Sequence, residues 1–364
     1  MRCGARWGNR KCDVGVEKAK ASGKYANNMG AVRYYLAMCV ITAHFNLVYG
    51  TDFAMPTSSY NAVGGFFALS GFLVYKSWLS SGGIRPYLLR RARRILPPYL
   101  FIVLLCAFGL VAFSTLSWKE YFFNIDWLKY VVSNAVFLNF LEPELPGVFQ
   151  SLPVHAVNGS LWTIKIEVLL YISIPIFSAI IAMLHKKRGN SLRNVVWTVV
   201  GIYVMSMAYR LCFSHLYLTT DKEIYNILSR QVFGQLMYFY TGVLIYFVHD
   251  FFMKHRIGIA IIVLLIVLTA NNMPYYEIII SPLVVSTATL LFSFAGNFGF
   301  LQKLNVNNVS YDMYLYHMPI LLVSLQCGWF EGCSAIARLS LITCAVTAVS
   351  CFSWFAIGKR FLYR

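Results

Sequence analysis

Arg33 and His44 lie eleven residues apart within one apolar run, AVRYYLAMCVITAHFNLVYG. At about 100° per residue this is three turns plus roughly 20°, so on a helix the two share one face about 16 Å apart. Ionisable groups inside an apolar span are functional candidates, because a charge at the bilayer centre costs a few kcal/mol unless it lines a polar cavity. A guanidinium binds anions, and an imidazole takes up and releases protons near neutral pH. A frayed helix start and a satisfied buried histidine would account for the same two residues.

Three further groupings have chemical potential. Glu167 lies about six residues, roughly 9 Å, inside the outer end of a later apolar run, matching the expected depth of His44. At matching depth the carboxylate could hold one ring nitrogen and raise the basicity of the other, as a general base for a hydroxyl nucleophile requires. Two residues that never meet remain the alternative. Arg85, Arg90, Arg91, Arg93 and Arg94 crowd RPYLLRRARRILPPY just before a span. Five arginines in ten residues suit a phosphate-rich cytosolic ligand, while an anchor to anionic lipid is the plainer reading. Ser70 lies at mid-span in GGFFALSGF, whose Gly64, Gly65 and Gly71 suit close helix packing. In NVSYDMYLYHMPI, Tyr314 and His317 share a face at i, i+3. His317 is a second catalytic or positioning candidate, or a structural histidine, and is expected nearer the inner face than His44.

The elements that must hold these residues follow from composition. The 364 residues are 59% hydrophobic and only 12% charged, which departs from a soluble domain and indicates an all-α, polytopic membrane bundle. The net charge of +17 is gathered in short stretches rather than a stripe among aromatics, favouring membrane orientation and anion binding over nucleic acid. Apolar runs at about 31–49, 61–79, 96–114, 161–184, 193–213, 231–249, 257–272, 276–294, 310–329 and 336–357 predict ten spans. With residues 1–28 as a basic, disordered cytoplasmic tail, HKKRGNSLR, MKHR, LQKLN and the basic end 359–364 all fall on the same side, so both termini are expected in the cytoplasm. The membrane domain is then 29–358. Residues 115–160 are expected outside, with 127–140 too short to span and read as interfacial or re-entrant.

Nine cysteines show no repeated C-x-x-C spacing and read as small buried hydrophobes, with Cys327 and Cys333 the one pair placed to bond. No metal site and no removable signal peptide is expected. No internal repeat is visible, so an inverted-repeat transporter gains no support.

Taken together, these segments resemble acyltransferase family 3, multi-spanning membrane enzymes that modify cell-surface polysaccharides and lipid-linked glycans. Arg33 and His44 are similar to the family's Arg-x10-His signature. FFALSGFLVY resembles its Ser-Gly-Phe segment, and RRARRILPPY its Arg-x-x-Arg cluster, here Arg91 and Arg94. GSLWTIKIEVLLYISIP resembles its Leu-Trp…Glu…Tyr…Pro segment and SYDMYLYHMP its late Tyr-Leu-x-His segment. No fused external esterase-like domain is expected. The resemblance implies His44 as catalytic base and Arg91 and Arg94 as acyl-coenzyme A ligands, and Arg33 and Arg90 are expected to join them from their place in the sequence. Glu167 would orient the base, and Ser70, Trp162, Tyr171, Tyr314 and His317 would position substrate. The implied reaction is transfer of acetyl or another short acyl group from cytosolic acyl-coenzyme A, a donor substrate and no resident cofactor, to a glycan hydroxyl at the outer face. Direct transfer and an acyl-histidine relay both fit. The implied location is the plasma membrane, the inner membrane in a bacterium. A proton-coupled or organic-anion transporter is the rival class, disfavoured by the arginine cluster.

Overall fold

The computed structural model describes residues 27–189, 191–270, 272–296, 304 and 309–362. The expected tail thus lies almost wholly outside the described residues. In chain order the helices are α1 (Met29–Tyr49), α2 (Ser59–Leu79), α3 (Ile84–Gly109), α4 (Trp118–Phe122), α5 (Ile125–Ala135), α6 (Trp162–Arg188), α7 (Ser191–Thr220) and α8 (Glu223–Ser229). They continue as α9 (Val232–Phe247), α10 (His249–Lys254), α11 (Arg256–Ala270), α12 (Tyr276–Ile279), α13 (Ser281–Ser293), α14 (Ser310–Gln326), α15 (Ala335–Ser353) and α16 (Lys359–Leu362). No strand occurs among the described residues, only an isolated bridge between Ser114 and Val148. A chain this apolar forms helices because, in lipid, each backbone polar group must be paired within its own segment.

Among the described residues, six helices are long and apolar enough to cross a membrane: Met29–Tyr49, Ser59–Leu79, Ile84–Phe113, Trp162–Lys186, Leu192–Thr220 and Ala335–Phe361. The other four expected spans fall on α9, α11, α13 and α14, of 16, 15, 13 and 17 residues. At 1.5 Å per residue these reach roughly 20–26 Å, short of the ~30 Å hydrocarbon core.

The chain divides into two compact units. In the first, formed by Phe67–Tyr87 and the described parts of Met1–Met29 and Ser173–Lys303, α9 is buried along nearly its whole length and packs against α7 and α13. α2 approaches α9 at glycines. A Cβ on Gly71 would strike the Phe239 carbonyl, and one on Gly242 the Ala68 carbonyl, so these helices meet backbone to backbone.

The second unit comprises Gly30–Phe66, Leu88–Ile172 and the described part of Leu304–Arg364. Here α14 packs on α15. The expected interfacial element is α5, eleven residues capped by Asn124 and too short to cross. It is tied to α3 by aromatics: buried Tyr99 donates to the Asn134 carbonyl (2.7 Å), and half-buried Trp127 donates to the Ala107 carbonyl (2.8 Å), which also accepts from Tyr121 of α4 (2.9 Å). At the start of α4, hydrogen bonds from the Ser117 hydroxyl and backbone hold the Glu120 carboxyl below the usual range.

Candidate active site

Nearly all the chemically promising side chains fall in the second unit, along the seam between α1 and α14. Three contacts run up this seam. The Val309 N–H donates to the Tyr34 hydroxyl (3.1 Å), His317 Nε2 meets His44 Nδ1 (3.0 Å), and the Tyr49 and Ser324 hydroxyls lie 2.7 Å apart. Residue numbers rise together on both helices, so they run parallel. The ten residues from Tyr34 to His44 and the eight from Val309 to His317 span about 15 and 12 Å, which brings the two imidazoles level. His317 is therefore at the depth of His44, not nearer the inner face as expected. α14 starts level with the second turn of α1 rather than with its beginning.

The protons of this pair follow from its partners. His317 Nδ1 lies 2.8 Å from the Tyr314 carbonyl, which only accepts, so this nitrogen bears the hydrogen. In the neutral ring Nε2 is then an acceptor. His44 Nδ1 must donate to it, and also faces the Val40 carbonyl one turn back at 3.1 Å. His44 is left with a bare Nε2 lone pair, the form in which a histidine removes a proton. His317 is fully buried, His44 is half-buried, and the ring centroids are 4.9 Å apart.

Glu167 stands elsewhere. Among the described residues His44 bonds only Val40 and His317, whereas Glu167 accepts from the Tyr171 hydroxyl one turn on. The cause lies at the start of α6. Pro319 has no N–H, so the Leu315 carbonyl within α14 loses its helical donor. Asn158 Nδ2 supplies the missing bond at 2.8 Å, and its Oδ1 accepts from the Ser160 hydroxyl (2.6 Å). The Tyr314 hydroxyl accepts from Thr163 (2.9 Å) and donates to the Ser160 carbonyl (3.3 Å). These bonds fix the start of α6 beside Tyr314, about level with the histidines. Glu167, one turn further on, is carried away from His44.

It reaches the arginines instead. Arg33 lies within electrostatic reach of Arg94, Tyr171, Glu167 and Arg91, and the Arg91 guanidinium stands 5.8 Å over the Tyr171 ring. Tyr311, whose hydroxyl donates to the Ile95 carbonyl (3.4 Å), adjoins Glu167, Tyr171 and Arg94 as well. On α3, Arg91 and Arg94 at i, i+3 are half-buried on one face, while Arg90 and Arg93 are exposed. Asp312 lies near Arg94, is 1% exposed, and accepts from Ser353 at 2.7 Å. Three guanidiniums against these two carboxylates leave an anion-attracting site about 16 Å from His44 along α1.

The remaining expected residues divide. Tyr314 joins the histidine level, and half-buried Trp162 opens α6 beside Thr163. Ser70 is half-buried on α2, which belongs to the first unit. Asn158, Ser160 and Thr163 went unnoticed in the sequence, although the Asn-Gly-Ser turn four residues before Trp162 and the proline of α14 were both visible. Cys327 and Cys333 are free and exposed. No group of three or more metal-ligating residues occurs among the described residues.

A family model described as an acyltransferase domain matches residues 27–357. The chain is 26% identical over 183 residues to a protein of Shigella phage Sf6 named "O-acetyl transferase", covering 49% of this chain and 52% of that one. It is 26% identical over 220 residues to a Bacillus subtilis (strain 168) protein named "Putative peptidoglycan O-acetyltransferase YrhL", covering 56% of this chain and 32% of that one. The chain thus matches about half or less of the length of these relatives. No solved structure matches.

Proposed function

The chain belongs to the acyltransferase family whose model spans residues 27–357, and we propose that it is a membrane O-acyltransferase. It moves an acetyl or other short acyl group from cytosolic acyl-coenzyme A to a hydroxyl of a cell-surface or lipid-linked glycan. The observation that carries this reading is the His44–His317 pair, which leaves one imidazole nitrogen bare about 16 Å from a cluster of arginines. The names of the two relatives support acetyl as the group moved. The transporter alternative draws nothing from the family.

In this reading Arg33, Arg91 and Arg94 hold the donor's phosphates, exposed Arg90 assists at the entrance, and Glu167 with Tyr171 keeps the guanidiniums apart until the donor arrives. The donor's extended arm spans the distance to His44. His44 Nε2 takes the acceptor's hydroxyl proton as the oxygen attacks the thioester carbonyl. The carbon–sulfur bond then breaks, and the imidazolium returns the proton to the departing thiolate. His317 is a positioning residue: it accepts from His44 Nδ1–H, and that bond strengthens when His44 becomes cationic. Tyr314 and Trp162 support this level. With ten spans and both termini cytoplasmic, the arginines face the compartment where the donor is made.

The test follows coenzyme A release and acetyl transfer from labelled acetyl-coenzyme A by the purified full chain. His44→Ala is expected to lower kcat by about 10²–10⁴, the usual contribution of a general base. Arg91→Gln with Arg94→Gln raises KM for the donor more than it lowers kcat, and Arg90→Gln does so less. A wild-type rate in His44→Ala removes the catalytic assignment.

A further inference from the structure

Beyond the histidines, away from Arg33, α1 and α14 end at an open cleft of about 600 Å³, a size common for small-molecule sites. Val48, Tyr49, Leu152, Pro153, Gln326 and Arg338 line it. Val48 stands one turn past His44 on the same helix face, about 6 Å along the axis. Tyr49 joins Ser324, which lies two turns past His317. The cleft thus continues the seam that holds the candidate base.

Two of its side chains have unused polar capacity. Arg338, near the start of α15, donates from Nε to the Phe330 carbonyl (3.2 Å), and its guanidinium lies 5.2 Å over the Tyr49 ring. Held from two sides, it has little freedom left to lose on binding. No carboxylate lies within ion-pair distance of it among the described residues. A half-buried guanidinium with no counter-charge is a poor structural element, but its terminal donors form a fork that fits a carboxylate or a phosphate. Gln326 spends Nε2 on the Phe113 carbonyl (3.2 Å), which assigns its amide, and its Oε1 is buried with no partner among the described residues. A hydroxyl hydrogen is what that oxygen lacks.

We propose that this cleft is the acceptor subsite and that it selects an acidic saccharide, with the carboxylate or phosphate on Arg338 and a hydroxyl on Gln326 Oε1. The proposal rests on the acyl-transfer reading for the word acceptor, but the site is tested by binding alone. The full chain in phosphatidylcholine nanodiscs is titrated with trigalacturonate, with glucose 1-phosphate and with neutral maltotriose. A fourth arm adds phosphatidylglycerol to the nanodiscs. At least one acidic sugar is expected to bind about tenfold or more tighter than maltotriose, the scale of one charge-assisted fork. Arg338→Gln is expected to erase that preference, and Arg338→Lys, which keeps the charge and loses the fork, to retain part of it. The preference for acidic over neutral sugar, which Arg338 sets, is expected to persist in His44→Ala, so failure of the base assignment and failure of the site are separable. Equal affinity for acidic and neutral sugars in the wild type overturns the proposal without any variant. So does a preference that survives Arg338→Gln, or an Arg338-dependent signal seen only with phosphatidylglycerol, which would make this residue a lipid anchor.

Discussion

Replacing His317 with alanine tests the histidine pair directly. In the resting site the His44 Nδ1–H is shared between His317 Nε2 at 3.0 Å and the Val40 carbonyl at 3.1 Å. Removing His317 leaves the Val40 carbonyl, so the tautomer survives and Nε2 stays bare. What is lost is one of the two acceptors for Nδ1–H when His44 becomes imidazolium, a bond to a charged group worth about 1.5–3 kcal/mol. At roughly 1.4 kcal/mol per decade, kcat should fall about 10- to 150-fold, less than the ~10²–10⁴ expected on removing His44 itself. KM for acetyl-coenzyme A should be unchanged, because the arginines lie at the other end of α1. His317→Gln places an amide oxygen near the former Nε2 and should recover most of the loss, which a merely structural role would not predict. The assay is steady-state release of coenzyme A thiol, with thermal unfolding of each variant run alongside. A wild-type rate in His317→Ala refutes the reasoning. A loss as large as that of His44→Ala, with no recovery by glutamine, also refutes it, since His317 would then be acting on substrate.

Two further predictions concern the scaffold. Asn158→Ala should lower stability by about 1–3 kcal/mol by leaving the buried Leu315 carbonyl unpaired, and by at least about 1 kcal/mol less when Pro319→Ala restores a helical N–H. The Ser160 contact is lost in both backgrounds and cancels, so additive unfolding energies in detergent would reject the explanation. Gly71→Ala should destabilise by about 1–3 kcal/mol, because the new methyl meets the Phe239 carbonyl rather than a yielding side chain. Gly201→Ala at an exposed position of α7, with nothing within 4 Å, should instead be neutral or stabilising by up to about 1 kcal/mol, and equal unfolding midpoints would contradict the close approach.

Helix positions were legible because each apolar run is long and bounded by charge, and all ten runs fall on helices. Arg33 and His44 were legible as a pair because both lie on one helix, where the 3.6-residue repeat fixes their relation. Arg91 and Arg94 stood out for the same reason. Relations between helices were not legible. Depths counted from span ends agree only where every span begins at the same surface. α14 begins a turn further in and α6 begins beside its middle, so His317 moved up to His44 and Glu167 moved away. The cleft at Arg338 was hidden for a related cause: its walls come from four stretches spread over nearly 300 residues.

The prolines explain why the site departs from that simple count. Pro98, Pro175 and Pro319 each fall four residues after a residue of the site region, namely Arg94, Tyr171 and Leu315. Each removes the helical donor to that residue's carbonyl. In an apolar surrounding a carbonyl so released needs a new donor. At Leu315 the donor is Asn158, which comes from outside the helix and draws the chain before α6 down to the middle of α14. α6 therefore starts level with the histidines and delivers Glu167 and Tyr171, one and two turns on, to Arg33, Arg91 and Arg94. The missing N–H of one proline thus separates the carboxylate from the imidazole and joins it to the guanidiniums, leaving His44 to be oriented by a neutral histidine instead of an acid.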